Sequence, residues 1–180
     1  MTDRPITAYI GVGSNIEPEA NIPRALDLLF DRCRVTATST FYRTPAISRP
    51  DQPDYLNGVW RVETSLTPRD LKFGVLRRIE EQLGRVRGPD KYARRTIDLD
   101  VLLCGREVLD DPDCRVPAPE IRERPFLVTC LLELDPDLVL PDTNEPLASL
   151  LGREDAMALE PAVEFTSRLR RRLDSMEDIT

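Results

Sequence analysis

The chain has 180 residues, 41% hydrophobic and 32% charged, with a net charge of −7 and no histidine. That length supports one well-buried domain and not two comfortable ones. The acidic balance argues against extended contact with nucleic acid or an anionic membrane, and the missing imidazole removes the commonest general base and transition-metal ligand.

No apolar run approaches a membrane span, and the N-terminal MTDRPITAYIGVG goes straight from polar residues into a strand pattern. A cytoplasmic protein without a leader is therefore expected. Cys33, Cys104, Cys114 and Cys130 are widely spaced, with no C-x-x-C pair, and read as buried free thiols. In chain order, Ile6 to Val12 alternates as a strand and runs into a turn at Gly13-Ser14-Asn15. Asn21 to Arg32 has helical spacing, and Arg34 to Tyr42 and Leu56 to Thr64 read as strands. Thr67 and Pro68 open a helix whose apolar stripe is Leu71, Val75, Leu76, Ile79 and Leu83, with Gly84 as its terminator. Thr96 to Leu103 is a fourth strand. A short strand near Glu107 to Leu109 and a helix from about Arg124 to Leu134 extend the core.

This order predicts an α+β fold: a ferredoxin-like βαββαβ core, with an antiparallel sheet covered by helices on one face and extra C-terminal helices. Residues 1–151 form the expected domain. Residues 152–180 form a helical tail packed on or extending it, with Phe165, Leu169, Leu173 and Met176 on one stripe.

Asp98 and Asp100 lie in the fourth strand. Alternation sends Ile97, Leu99, Val101 and Leu103 to the helices and puts both carboxylates on the other face, roughly 7 Å apart. Two acids on one strand face are unfavourable unless something positive neutralises them. A hard divalent cation with phosphate co-ligands suits the pair. Directly before it, the segment Gly84 to Arg95 carries Arg85, Arg87, Lys91, Arg94 and Arg95 against the single acid Asp90. Arginine forks bind phosphate oxygens bidentately, so this loop can fold over a phosphate held at the pair. The connection Thr44 to Tyr55, stiffened by Pro45, Pro50 and Pro53, is long for a strand pair and ends on Tyr55 and Asn57, an aromatic face plus an amide suited to a flat ring. An RNA-binding domain on the same layout would need stacking aromatics and a basic sheet, where this one carries two acids. No G-x-x-x-x-G-K-[ST] or G-x-G-x-x-G run is present.

Gly13-Ser14-Asn15, FYRTP (Phe41 to Pro45), DQPDYLN (Asp51 to Asn57), IEEQLGRVR (Ile79 to Arg87), RTIDLDVLL (Arg95 to Leu103), Val116-Pro117 and Arg124-Pro125-Phe126 together resemble the 6-hydroxymethyl-7,8-dihydropterin pyrophosphokinase family. The resemblance implies transfer of pyrophosphate from ATP to the pterin hydroxymethyl group, releasing AMP, in folate biosynthesis. It implies Asp98 and Asp100 as ligands of two Mg²⁺ ions, and Arg85 and Arg95 as catalytic with them. It also implies an ATP site of Glu80, Arg87, Lys91, Tyr92 and Arg124, and a pterin site of Thr44, Pro45, Ile47, Tyr55, Asn57 and Phe126. The expected partners are small molecules, with no nucleic acid or membrane, and the expected state is a monomer. The chain departs from the family pattern at Tyr92-Ala93, at Arg77, and at Ala118, where relatives carry histidine. The alternative is a catalytically weak relative that binds pterin or nucleotide.

Overall fold

The computed structural model describes residues 4–46, 49–90, 92–152 and 159–178. Its centre is a six-stranded antiparallel sheet. Strands β1 (Ile6–Ser14), β4 (Tyr55–Thr64) and β5 (Asp98–Cys104) form the middle and one edge. Along the other side of β4 run β2 (Arg34–Thr38) and β3 (Tyr42–Thr44), and β10 (Glu160–Pro161) pairs outside β3.

The sheet is buried on both faces. Alternation sends Ala8, Ile10, Val12, Trp60, Val62, Leu99 and Val101 to one side. They pack there against α1 (Pro18–Phe30), the helical stretch Asp70–Gln82 and α5 (Val163–Glu177). Tyr9, Val59, Leu102 and Leu103 face the other way, onto the short α3 (Glu120–Glu123), α4 (Pro125–Leu134), the hairpin of β8 (Val139–Leu140) and β9 (Glu145–Pro146), and Leu147. The face opposite the first helices is thus largely roofed by later chain, and a cleft remains beside β1 and β5. Among the described residues no helix is long and apolar enough to cross a membrane. All four cysteines are free and buried, as their spacing implied.

Several boundaries differ from the sequence expectation, each for a local reason. The expected strand from Arg34 to Tyr42 is two strands, because side chains take over the backbone between them. Ser39 Oγ accepts the Val59 N–H at 2.9 Å, Glu133 accepts the Thr40 N–H at 2.8 Å, and Thr166 Oγ1 accepts the Phe41 N–H at 2.9 Å. The first strand does not turn at Gly13 but continues to Ser14, in register with Leu56. α1 begins at Pro18, three residues before the expected start. The short strand expected near Glu107 is β6 (Leu109–Asp111), paired with β7 (Cys114–Val116). Leu103 lies on the opposite face from Leu99 and Val101. A β-bulge sets Tyr9 against Leu103 and Ile10 against Val101, so Leu102 is the extra residue and alternation breaks there. The Thr67 helix start and the Gly84 stop hold: Thr67 Oγ1 accepts the Asp70 N–H at 3.2 Å, and Gly84 has φ 76°.

The tail continues this core. The Ala162 N–H donates to the Phe41 carbonyl at 2.8 Å, and Phe165 meets Phe41 edge to face with ring centroids 5.4 Å apart. Phe41 in turn lies flat over Gly58, where a Cβ would sit 2.6 Å from the ring. The ring is fully buried and cannot retreat. Gly58→Ala is expected to destabilise by about 1–3 kcal/mol through overpacking, read as a lower urea midpoint at unchanged slope.

Candidate active site

β5 is the edge strand, and its pleat turns Asp98 and Asp100 toward a cleft lined also by Gly11, Gly13, Asn57, Glu120, Arg124 and Phe126. A wider surface depression lined by Phe30 to Arg34 and Glu177 contains none of the expected site residues. The two carboxylates have different surroundings. Both oxygens of Asp98 accept from guanidinium groups, Arg85 Nη1 on Oδ1 and Arg95 Nη1 on Oδ2. Asp100 keeps 52% of its side-chain surface open and has Lys72 Nζ at 3.6 Å. Its neighbours still displace much of its hydration, and this, followed by the Asp98 charge, raises its pKa.

Arg85 is placed by Glu80. The Glu80 carboxylate, 1% exposed, receives Arg85 on Oε1 and Arg87 on Oε2. Its Oε1 also accepts the Leu99 N–H at 2.9 Å, and the Arg85 N–H returns to the Glu80 carbonyl at 2.9 Å. Burial raises the Glu80 pKa against the opposing pull of Arg85, the Leu99 amide and Arg87. Arginines, the Glu80 helix and the aspartate strand are therefore one hydrogen-bonded unit.

Across the cleft, β1 and β4 set the aromatic wall. Gly13 pairs with Asn57, and a Cβ on Gly13 would meet Asn57 Oδ1 at 2.5 Å and Tyr55 Cδ1 at 3.6 Å. Only glycine lets this pair come so close. Asn57 Nδ2 donates to Thr44 Oγ1 at 2.6 Å, which fixes the amide. The Tyr55 hydroxyl loses hydration on burial, which raises its pKa, and it feels the charges of Arg95, Asp98, Arg85 and Arg124. Phe126 and Arg124 enter from the start of α4.

Asn15, 2% exposed, clasps the two loops that border the cleft. Its Oδ1 accepts the Arg95 N–H at 2.8 Å, and its Nδ2 donates to Gln52 Oε1 at 3.2 Å and to the Pro53 carbonyl at 3.3 Å. Gln52 Nε2 donates to the Tyr92 carbonyl at 3.0 Å, and Arg49 pairs with Asp90 at 2.7 Å.

Of the residues singled out in sequence, Asp98, Asp100, Asn57, Arg124 and Phe126 line the cleft, with Arg85, Arg95 and Tyr55 around the aspartates and Thr44 behind Asn57. Glu80 is held inside the protein rather than presented to the cleft, and Arg87, half-exposed, is its partner. Pro45 and Tyr92 are exposed and do not line the cleft. Ile47 and Lys91 lie outside the described residues. Ala118 is 4% exposed, packs in the second core layer and donates its N–H to the Leu102 carbonyl at 2.9 Å. Sequence reading missed Gly13 and Asn15, whose turn-like triplet hid their role, and Glu120 and Lys72, which carried no local signal.

The chemistry of the two aspartates limits which metal they could hold. Two aspartates share one face, and no group of three or more potential ligands converges among the described residues. Mg²⁺ fits such a pair, because it is usually held by one or two carboxylates with substrate phosphates and water completing the octahedron. The thiols that a softer metal would need are buried and free.

Asp98 gripped by two arginines, Asp100 beside it and an aromatic and amide wall across the cleft are the arrangement suited to an enzyme that transfers a phosphate-type group to a flat ring compound. Comparison with known proteins makes this specific. The model of the family described as 7,8-dihydro-6-hydroxymethylpterin-pyrophosphokinase (HPPK) matches residues 9–136, and the chain belongs to that family. It is 38% identical over 142 residues to a 2-amino-4-hydroxy-6-hydroxymethyldihydropteridine pyrophosphokinase of Haemophilus influenzae, covering 77% of this chain and 88% of that one. A protein of the same description from Pseudomonas aeruginosa is 41% identical over 138 residues, covering 74% and 83%. The folic acid synthesis protein fol1 of Pneumocystis carinii is 35% identical over 159 residues, 87% of this chain and 21% of that longer protein. The chain is accordingly a pyrophosphokinase of folate biosynthesis.

The raised pKa of Asp100 has a signed consequence. A carboxyl whose folded pKa exceeds its unfolded value costs stability once pH rises through the folded value, and costs nothing below the unfolded value. Without divalent cations, Asp100→Asn is expected to melt higher than wild type at pH 7. That advantage should vanish below about pH 4, where the unfolded carboxyl is itself protonated. Melting curves in EDTA across this range test it.

Proposed function

We propose that this enzyme works with two Mg²⁺ ions held by Asp98 and Asp100, with ATP as pyrophosphate donor and the hydroxymethyl oxygen of 6-hydroxymethyl-7,8-dihydropterin as acceptor, releasing AMP. The observation that carries this reading is the placing of both carboxylates on one strand face, with Arg85 and Arg95 on Asp98 and the Tyr55 and Asn57 wall opposite. Bound Mg²⁺ supplies charge neutralisation of the triphosphate and a lowered pKa for the attacking hydroxyl, which suits a site without a histidine base.

The protein's own part is to position and to neutralise. Tyr55 and Phe126 sandwich the pterin ring, and Asn57, braced by Thr44, hydrogen-bonds its edge. Arg85 and Arg95 bind Asp98 until the triphosphate arrives and then turn their forks to its oxygens. Arg124, which lines the cleft, and the half-exposed Arg87 extend the grip along the nucleotide. Glu80 keeps Arg85 and Arg87 in reach, and touches them rather than ATP. Charge developing during in-line transfer falls beside Arg95, nearest the carboxylate strand.

We further infer that the chain acts in the cytoplasm as a monomer on small molecules. Its exposed large apolar side chains, Val86, Val108, Val139, Leu151 and Val163 among them, are far apart in the chain, and isolated apolar side chains need no partner. Residues 1–151 carry the site. The tail, which supplies β10 and α5 to the sheet and first core layer, serves packing.

AMP formation from ATP, measured with and without the hydroxymethyl pterin, tests the activity. Wild type should require the pterin and a divalent cation. Asp98→Ala and Asp100→Ala should abolish turnover while keeping a cooperative melt, and near-normal turnover in either would refute the carboxylate assignment. Arg95→Ala should lower kcat by on the order of 10²–10³ with a smaller change in KM for ATP. Pterin binding by the wild type without AMP formation would favour the weak relative, a reading motivated by the apolar, buried Ala118.

A further inference from the structure

The stretch before α2 (Arg77–Gln82) is wound as a π-helix from Asp70 to Leu76, and the Arg77 N–H reaches back five residues to the Lys72 carbonyl. Leu71 and Leu76, also five apart, are both fully buried. In an α-helix a five-residue step would turn them roughly 140° from each other, whereas the wider winding brings them to roughly 50° apart, on one face. With these two leucines fixed inward, Lys72 lies at the border of the helix layer next to β5. Because β5 is the sheet edge, a side chain can pass around it from the helix layer to the carboxylate face. Lys72 does so. Its side chain is 22% exposed and its Nζ ends 3.6 Å from Asp100 Oδ1.

The contact is a pairing of charges rather than a tight hydrogen bond. It differs in kind from the arginine contacts on Asp98, because Arg85 and Arg95 come from the loop and strand entry that face the cleft. Lys72 comes from a packed helix and is anchored from behind. The other charges that act on Asp100 are Asp98 and Glu120, both negative, and the more distant Arg85 and Arg95. Among the described residues Lys72 is thus its nearest cation.

We propose that Lys72 is the resident counter-ion of Asp100, a positioning residue delivered by the π-turn, which neutralises and aims the outer carboxylate before any cation binds and weakens the pair's hold on that cation. The inference rests on the reading of Asp98 and Asp100 as cation ligands. A fixed positive charge about 6 Å from a divalent ion at a water-exposed site weakens its binding by about tenfold.

The test is direct titration of Mn²⁺ into the full chain, with the free ion followed by paramagnetic resonance, joined to melting curves in EDTA and in saturating Mn²⁺. Lys72→Met should bind Mn²⁺ about tenfold more tightly than wild type. It should melt lower in EDTA and recover most of that loss in Mn²⁺. Lys72→Arg, which keeps the charge, should behave as wild type, and Lys72→Gln replaces Lys72→Met if that variant fails to fold. Unchanged or weaker Mn²⁺ binding, or an equal melting loss with and without Mn²⁺, would show Lys72 to be a packing residue and overturn the inference alone. If wild type and all variants fail to bind Mn²⁺, the carboxylate-pair reading falls and this inference falls with it.

Discussion

A carboxylate taken out of water demands partners, and Glu80 is almost completely enclosed. Burying an ion without compensation costs several kcal/mol, so the fold holds together here only because Arg85, Arg87 and the Leu99 amide all converge on Glu80. That one requirement fixes three things. The helix end, the arginine loop and the β5 backbone cannot shift independently. Arg85 is then carried to Asp98, and the spacing between the acidic strand and its cations becomes a property of the core. Breaking such a pair from one side leaves an uncompensated charge, which is why the group behaves as a single structural element.

The cleft is built on the same economy of contact. Gly13 lets β1 and β4 approach closely enough for Asn57 and Tyr55 to stand beside the aspartates, and the Thr44 hydroxyl locks the amide. Asn15 then joins the proline-rich connection to the arginine loop through three hydrogen bonds. The walls of the site therefore share anchors in rigid strands, while the loops that border it are tied to each other. Positioning of this kind is what pyrophosphoryl transfer asks of a protein, since little covalent chemistry falls to its side chains.

Much of this was legible in the sequence because it depends on period. The alternation of Asp98, Leu99 and Asp100 gives the face of both carboxylates, and the stripe of Phe165, Leu169 and Leu173 gives the tail helix and its buried side. What escaped depends on contacts distant in sequence. Thr40 and Phe41 have strand propensity, yet Glu133 and Thr166, far along the chain, take their amides. Leu71, Val75, Leu76 and Ile79 fit an α-helical stripe, and only packing selects the wider winding that seats Leu71 and Leu76 together. The bulge at Leu102 reverses Leu103 without any residue type that announces it. In the site, arginines beside aspartates were readable as charge, whereas Glu80 reads as one acid among many on a helix until burial singles it out. Lys72 was hidden more deeply, since its reach depends on β5 being an edge.

The four thiols, noted above only as free and buried, bear on how the enzyme senses its medium. Burial raises all of them, Cys104 to about 11 and Cys130 to about 12. With no histidine in the chain, no side chain has an ordinary titration between pH 5 and 8. Ionisation around neutrality is then left to the substrate phosphates, while burial moves Asp100 and Glu80 upward from the usual carboxylate range. A rate profile that bends near neutral pH would therefore report first on the ligands, since the chain has no imidazole to titrate there.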